Sequence, residues 1–495
     1  MRARVDTHAT LQRRIRLLWK SPSRRNAMWK SLGWSSLGLL ALLAAGCATY
    51  RPDPLRPEAE AMALDRQDLA TLVPQRSTPC EGPAAPGGAP FDLSDGLNEA
   101  EVIAVALTLN PDLRVKRLES GGAQAQLIQA GLWPNPEIAI AWRPGVGGAT
   151  GAAVDADFLL EVLRSSKRAA RKDAAAAGLT QVQAEIVAAE WELVAQVRRQ
   201  RLAVLAGEQT LALLDEEATL RDRALETARR RRQVGEGTEV DISATELETV
   251  EVRRDRRKAE TELASARREL NHLLGLPSGY TLCLSESGKP LAVTAFNDLA
   301  DEDLGRRMRA RRFDLRALEA AYEKAEHELR LAVLRQYPDL KVGPSFSRET
   351  DGGNFLGLGA GITIPISDRN QAEITQKENE RQRARATYVA LLHRLTAAVR
   401  EARGRLQRAR LEVEAQEKDV LPLVKRNQDL LERAYRAGEV TVFDLIAAQQ
   451  RALKARQAHL ASVVRHQESV IDMETAMGLP IAPTAAAAAP EAKEK

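Results

Sequence analysis

Between residues 392 and 413 the apolar positions Leu392, Leu395, Val399, Ala402, Leu406, Ala409 and Val413 advance by three and four in turn. That spacing keeps one narrow apolar seam on one side of an α-helix, as in a coiled coil. A helical period without any proline but Pro422 holds from Lys167 to Val234 and again from Asn370 to Ala437. Each stretch of 68 residues predicts a helix about 100 Å long, roughly three times the hydrocarbon thickness of a bilayer. Their abundant charge forbids burial in lipid, so these helices must project into water. Stretches of half that length, 98–131 and 241–274 with equivalents in the second half, also read as helical. Two of them placed end to end match one long helix.

Four other segments have a period of two. In 355–366, Leu356, Leu358, Ala360, Ile362, Ile364 and Ile366 alternate with Phe355, Gly357, Gly359, Gly361, Thr363 and Pro365. In 152–163, Ala152, Val154, Ala156, Phe158, Leu160 and Val162 alternate with positions that include Asp155, Asp157 and Glu161. Shorter partners carry Ile138, Ile140 and Trp142, and Leu340, Val342 and Phe346. One apolar face and one small or polar face suit strands of a membrane barrel, and suit soluble amphipathic hairpins too. Pro344 is awkward in a strand interior on either reading. Four strands cannot close a barrel, whose smallest form has about eight. An open edge in lipid leaves backbone groups unpaired, at several kcal/mol each. If these are membrane strands, several copies of the chain must join.

The two halves repeat each other. VGEGTEVDI (234–242) and AGEVTVFDL (437–445) place Gly235 and Gly438 203 residues apart, each with an Asp six residues on, Asp241 and Asp444. Gly275-Leu276-Pro277 and Gly478-Leu479-Pro480 follow, each 40 residues after its Gly. Upstream, NPDLRVKRLE (110–119) echoes RFDLRALEAA (312–321), and Pro136-Glu137 matches Pro338-Asp339. A period near 200 residues is too long for a solenoid unit, about 20–50 residues, and marks a duplicated domain. The halves run over 98–277 and 301–480, joined by a linker at 278–300.

Composition agrees with long helices and argues against enzymes. Aromatic residues make up only 4% and charged residues 28%, proportions that suit helices better than thick cores. The net charge of +4 is concentrated at the start: residues 1–46 hold nine Lys/Arg and one Asp, leaving the other 449 residues at −4. No basic face for nucleic acid is implied. The six histidines are scattered, and no metal-ligand cluster, phosphate loop or nucleophile elbow is present. No cofactor is expected.

The basic start precedes the apolar run 37–46 and Cys47, so 1–46 read as a secretory signal too short to span a bilayer. Small residues before Cys47 resemble a bacterial lipobox, with Ala44 where Leu is usual. An ordinary signal followed by a chance Cys is the other reading. Lipidation at Cys47 would begin an extended segment, 47–97, that includes the Pro/Gly-rich stretch 74–90; residues 481–495 read as a disordered tail. In an oxidising compartment Cys80 and Cys283 are free to pair, though sequence does not fix their distance.

Over 98–480 the chain resembles TolC-type outer-membrane efflux channels. TIPISDRNQAEI (363–374) and LLEVLRSSKRAARKDA (159–174) are most similar to the cobalt-zinc-cadmium branch, with Ser165-Ser166 where that branch usually has Gly. The resemblance implies a mainly α fold with a membrane β component. Four strands per protomer would enter a trimeric twelve-stranded barrel that continues into a helical periplasmic tunnel. It implies an outer-membrane location and partners: a homotrimer, a periplasmic adaptor, an inner-membrane pump of RND type, and outer-membrane lipid, but no nucleic acid. The solute would be heavy-metal cations. A periplasmic coiled-coil adaptor lipoprotein is the alternative, but it would carry one hairpin and no membrane alternation.

The repeated stretches would be the helical turns at the tunnel's periplasmic end. Thr238 and Thr441 can cap the returning helices. Adaptor docking falls on Val234, Gly235, Glu236, Ala437, Gly438 and Glu439. In the family a Tyr and an Asp bond to hold the mouth shut; they correspond to Tyr435 and Asp241. A second family link falls on Val440 and Val240 and is missing, while Asp444 would form a carboxylate ring and Ala447 removes a further one. Asp241 and Asp444 equally suit capping near a helix's positive end. Arg229–Arg232 favour the negative end of the long helix and face either water or a partner.

Met28 opens a complete signal, MWKSLGWSSLGLLALLAAGC, whereas residues 1–27 add charge with no targeting logic. Translation is therefore expected from Met28. Replacing that codon with one that cannot initiate should abolish the protein, and undiminished protein on an immunoblot would contradict it.

Overall fold

The structure, a computed structural model, describes residues 50–66, 69, 96–144, 151–162, 165–235, 237–293, 301–437 and 439–478. The chain divides into two compact units at Met62/Ala63. In the first, the described residues are exposed and hold most of helix α1 (Pro57–Asp65). The second holds both repeats.

Its first half runs α2 (Glu99–Leu109), α3 (Pro111–Gly131), β1 (Glu137–Pro144), β2 (Ala152–Val162), α4 (Ser165–Gln233) and α5 (Glu239–Leu274). The second half repeats the series as α6 (Asp301–Arg311), α7 (Phe313–Leu334), β3 (Leu340–Arg348), β4 (Asn354–Ile362), α8 (Gln371–Ala415), α9 (Leu421–Arg436) and α10 (Val442–Met477). At 69 residues, α4 has the length its period predicts. Its counterpart does not. A π-turn, Gln416–Val420, separates α8 from α9, because Pro422 has no N–H to donate and its ring collides with the carbonyl four residues back. The wider turn absorbs that collision without ending the helix.

The shorter stretches are also interrupted, and both breaks are tied to a neighbouring helix end. Asn110 leaves the helix before Pro111, accepts the Leu113 N–H at 2.8 Å and donates Nδ2 to the Leu273 carbonyl at 2.9 Å. Arg312 does the equivalent work in the second half, donating to the Thr475 carbonyl at 2.5 Å and to Asp314 at 2.9 Å. Thus α5 abuts the α2–α3 break, and α10 the α6–α7 break. The Gly-Leu-Pro repeats are the stops: Gly275 and Gly478 are left-handed helix caps at φ 71° and 70°. A Cβ on Gly275 would sit 2.5 Å from the Leu109 carbonyl, so Gly also permits the close approach.

The seam of α8 is buried as its spacing requires, at Leu395, Val399, Ala402, Leu406, Ala409 and Val413. It packs with Leu304, Met308, Leu315, Val470, Met473 and Met477. A first-half core gathers Val102, Val105, Val197, Leu205, Leu270 and Leu274. Each such large side chain contributes about 1.5–3 kcal/mol. Helix α4 runs against α3 and α5 of its own half and α7 and α10 of the other. Buried charges lie at that crossing. Arg198 contacts Glu99 at 2.7 Å and also pairs with Glu474; burial opposes its charge, but the two carboxylates outweigh that and raise its pKa.

The four strands form one antiparallel sheet in the order β1-β2-β3-β4, so the halves meet at β2–β3. Its register puts Ile138, Ile140, Trp142, Phe158, Leu160, Val162, Leu340, Val342, Phe346, Leu356, Leu358 and Ile362 on one face. The other face carries Arg143, Asp155, Asp157, Glu161, Lys341, Ser345, Ser347 and glycines. None of the described residues covers the apolar face: Leu356 is 83% and Leu358 90% exposed. The charges opposite are paired, with Ser347 donating to Asp155 at 2.7 Å and Ser345 to Asp157 at 2.5 Å.

Pro344 does lie inside β3, and the sheet accommodates it. The β2–β3 ladder pairs Asp157 with Ser345 and Leu160 with Val342 but skips the two rows between, where Pro344 has no N–H. There the backbones close up, so a Cβ on Gly343 would stand 1.7 Å from the Phe158 carbonyl. Sheet and helices are joined at Lys167, 5% exposed, whose ammonium donates to the Tyr337 carbonyl at 2.6 Å and Asp339 at 2.7 Å.

Gly343→Val should therefore break the pairing of the two hairpins and abolish heat-resistant oligomers on unheated SDS gels. Gly357→Val, whose added carbon meets nothing within 4 Å, should keep them. Loss in both, or in neither, would contradict the close approach.

Candidate functional site

The ends of the two helical hairpins hold the residues that the sequence singles out. At the first, the Val234 N–H donates to the Arg230 carbonyl and the Gly235 N–H to that of Arg232, both at 3.2 Å. Gly235 turns the chain at φ +83°. Thr238 then starts α5 with a capping box: the Asp241 N–H donates to Thr238 Oγ1 at 3.2 Å, and Thr238 N–H and hydroxyl donate to Asp241 Oδ2 at 2.9 and 2.8 Å. The second hairpin repeats this. Ala437 donates to the Arg433 carbonyl and Glu439 to that of Ala434, both at 3.0 Å. Thr441 and Asp444 form the same box at the start of α10, with bonds of 2.6 to 3.3 Å. Glu236, Gly438 and Cys47 lie outside the described residues, as does Cys80; Cys283 is an exposed free thiol.

The boxes explain the electrostatics. The Thr238 backbone and hydroxyl bonds, with the charge of Arg231, lower the pKa of Asp241. The Thr441 hydroxyl and backbone bonds, with the charge of Arg451, lower that of Asp444. Within one protomer Asp241 is thus engaged as a cap and is not hydrogen-bonded to Tyr435. Tyr435 is 42% exposed, and its hydroxyl has no partner among the described residues.

The arginine run is more specific than a charged helix end. Arg229 pairs with Glu246 at 2.5 Å, Arg230 with Glu226, and Arg232 with Glu239 at 3.9 Å. Arg231 has no carboxylate within ion-pair reach among the described residues. Its guanidinium lies over the ring of Phe443, 5.3 Å from the centroid. Phe443 belongs to the other hairpin, so sequence reasoning had no local spacing by which to find the pair. The one visible sign was an aromatic beside Asp444 where the first repeat has Val240.

These elements could line and close a passage rather than perform a reaction. Among the described residues no three His, Cys, Asp or Glu side chains are placed to hold a metal ion. No described helix is long and apolar enough to cross a membrane.

Comparison with known proteins gives a consistent picture. Residues 304–479 match the family described as outer membrane efflux protein. The cobalt-zinc-cadmium resistance protein CzcC of Cupriavidus metallidurans is 24% identical over 388 residues, 77% of this chain and 90% of that protein. The crystal structure of CusC superposes with a TM-score of 0.63 at 20% identity, over 81% of this chain and 99% of that one. The Campylobacter jejuni CmeC outer membrane channel gives 0.65 at 15% identity, over 81% and 92%.

Because the folded-state pKa of both aspartates is depressed, each capping contribution is complete above the ordinary value of 3.8 and is lost as pH falls through the lower folded value. Hydrogen-exchange protection of Glu239–Thr245 and Leu445–Ala448 should be steady above pH 4 and drop below about pH 3.8. An Asp241→Asn, Asp444→Asn variant should lack that step; an identical step there would assign it to other groups.

Proposed function

We infer that this chain is an outer membrane efflux protein, the channel subunit through which a tripartite efflux system discharges solutes from the periplasm to the outside. The observation that carries it is the pairing of a two-faced, open-edged sheet with helices about 100 Å long in one chain. An adaptor would have no use for that sheet, and a purely structural coiled coil would have no use for either of its faces. Three copies joined edge to edge, β4 of one to β1 of the next, would leave no strand unpaired in lipid. The apolar side chains Leu423 and Leu430 of α9 and Val240, Leu247 and Val250 of α5 are exposed in the protomer and are suited to seams between copies.

The substrate we propose is heavy-metal cations, a reading supported by the likeness to CzcC. The inner-membrane pump would then be of RND type, reached through a periplasmic adaptor. Val234, Gly235, Glu236, Ala437, Gly438 and Glu439 would meet the adaptor's hairpins, and Tyr435, Asp241 and Asp444 would surround the mouth. An acyl chain on Cys47 would supplement the barrel as an anchor. Thr238 engages only Oδ2 of Asp241 in the protomer, so Oδ1 is left to accept from Tyr435 if that pair acts as a gate.

Deleting the gene should lower tolerance to cobalt, zinc and cadmium, and the wild-type gene should restore it. A Gly235→Arg, Gly438→Arg variant should form heat-resistant trimers yet fail to restore tolerance, because side chains at the turn block close approach. Tolerance indifferent to deletion would remove the metal substrate. Restoration by the variant would remove the docking assignment.

A further inference from the structure

We propose that Arg231 and Phe443 form the clamp that keeps the second hairpin on the first and sets how readily the periplasmic mouth opens. The inference rests on the channel reading and adds to it the residues that hold the mouth at rest. Farther from the tip, Arg456 meets Glu216 at 3.1 Å and Gln457 meets Glu217 at 3.2 Å across the hairpins. Beyond Glu217 towards the tip, among the described residues, no ion pair or hydrogen bond joins the two hairpins. The Arg231–Phe443 contact, 14 residues further along α4, is the polar contact that does. Apolar packing around it is incomplete, since a groove of about 340 Å³ remains between the hairpins, flanked by the small side chains Ala224, Ala228, Ala244 and Ala447. The clamp is therefore not backed by a filled core.

Chemistry and position both suit a releasable contact. A guanidinium over an aromatic face is attracted by the ring quadrupole, and its planarity allows stacking that an ammonium cannot match. Neither partner leaves a buried charge or unsatisfied bond when they part, because Arg231 can be hydrated and Phe443 carries no polar atom. Asp241, in the first turn of α5, is near enough for the charge of Arg231 to help lower its pKa. Rotation of the second hairpin away from the first would slide Phe443 from beneath Arg231 and free the mouth without disturbing either capping box.

Single-channel recording of detergent-extracted trimers in planar bilayers tests this. Phe443→Leu and Arg231→Gln should each raise the open-state occupancy at least about twofold, with trimers still heat-resistant on SDS gels. The Arg231→Gln, Phe443→Leu variant should add little to either single change, since both remove one contact. Phe443→Trp, a better partner for a cation, should lower occupancy below wild type, which damage to the fold would not do. Unchanged occupancy, additive effects, or Phe443→Trp acting in the same direction as Phe443→Leu would overturn the clamp while leaving the channel intact. Trimers that pass no current as wild type and in every one of these variants would overturn the channel reading and the clamp with it.

Discussion

A strand in hydrocarbon has no water to satisfy its N–H and C=O groups, and the architecture of this protein answers that constraint. One chain supplies four strands, with the ladders β1–β2, β2–β3 and β3–β4 satisfied internally and the outer edges of β1 and β4 open. The apolar face has no cover among the described residues, while on the opposite face Ser345 and Ser347 donate to Asp157 and Asp155. The duplication follows from the same need. Each half provides a single hairpin, and a lone hairpin is marginal in any solvent. The two hairpins become one sheet only because Gly343 lets β3 close on β2 at the place where Pro344 cannot bond.

The helices inherit their arrangement from the sheet. In sequence two residues separate β2 from α4 and eight separate β4 from α8, so both long helices begin close to the sheet. Lys167 fixes the first of these exits to the second repeat through the Tyr337 carbonyl and Asp339. Asn370 does the corresponding work at the start of α8, donating to the Ala332 carbonyl at 2.9 Å. For a buried pair such as Lys167–Asp339, removing one partner typically costs about 3–5 kcal/mol. Further along, Arg198 with Glu99 and Glu474 binds α2, α4 and α10 where the halves cross. The joints at the sheet and at the crossing contrast with the tips, where, beyond Glu217 and among the described residues, the guanidinium of Arg231 over the Phe443 ring is the polar contact between the hairpins. On the channel reading proposed above, a chain tied firmly beside the sheet and lightly at the far end suits a passage that opens at that end.

Sequence alone determined the long helices, the duplication, the period-two strands with their two faces, the capping threonines and the seam of α8. Each is written in spacings of a few residues or in a repeated offset, and each is enforced locally by helix geometry, strand pleat or turn chemistry. The tertiary structure decided the rest. It broke the shorter helices at Asn110 and Arg312, because each break is secured by a carbonyl more than 160 residues away. It placed a π-turn before Pro422, so that the helix continues instead of stopping there. It set Phe443 of one hairpin beneath Arg231 of the other. Those partners lie on different helices, and periodicity within one helix carries no information about which neighbour will face it.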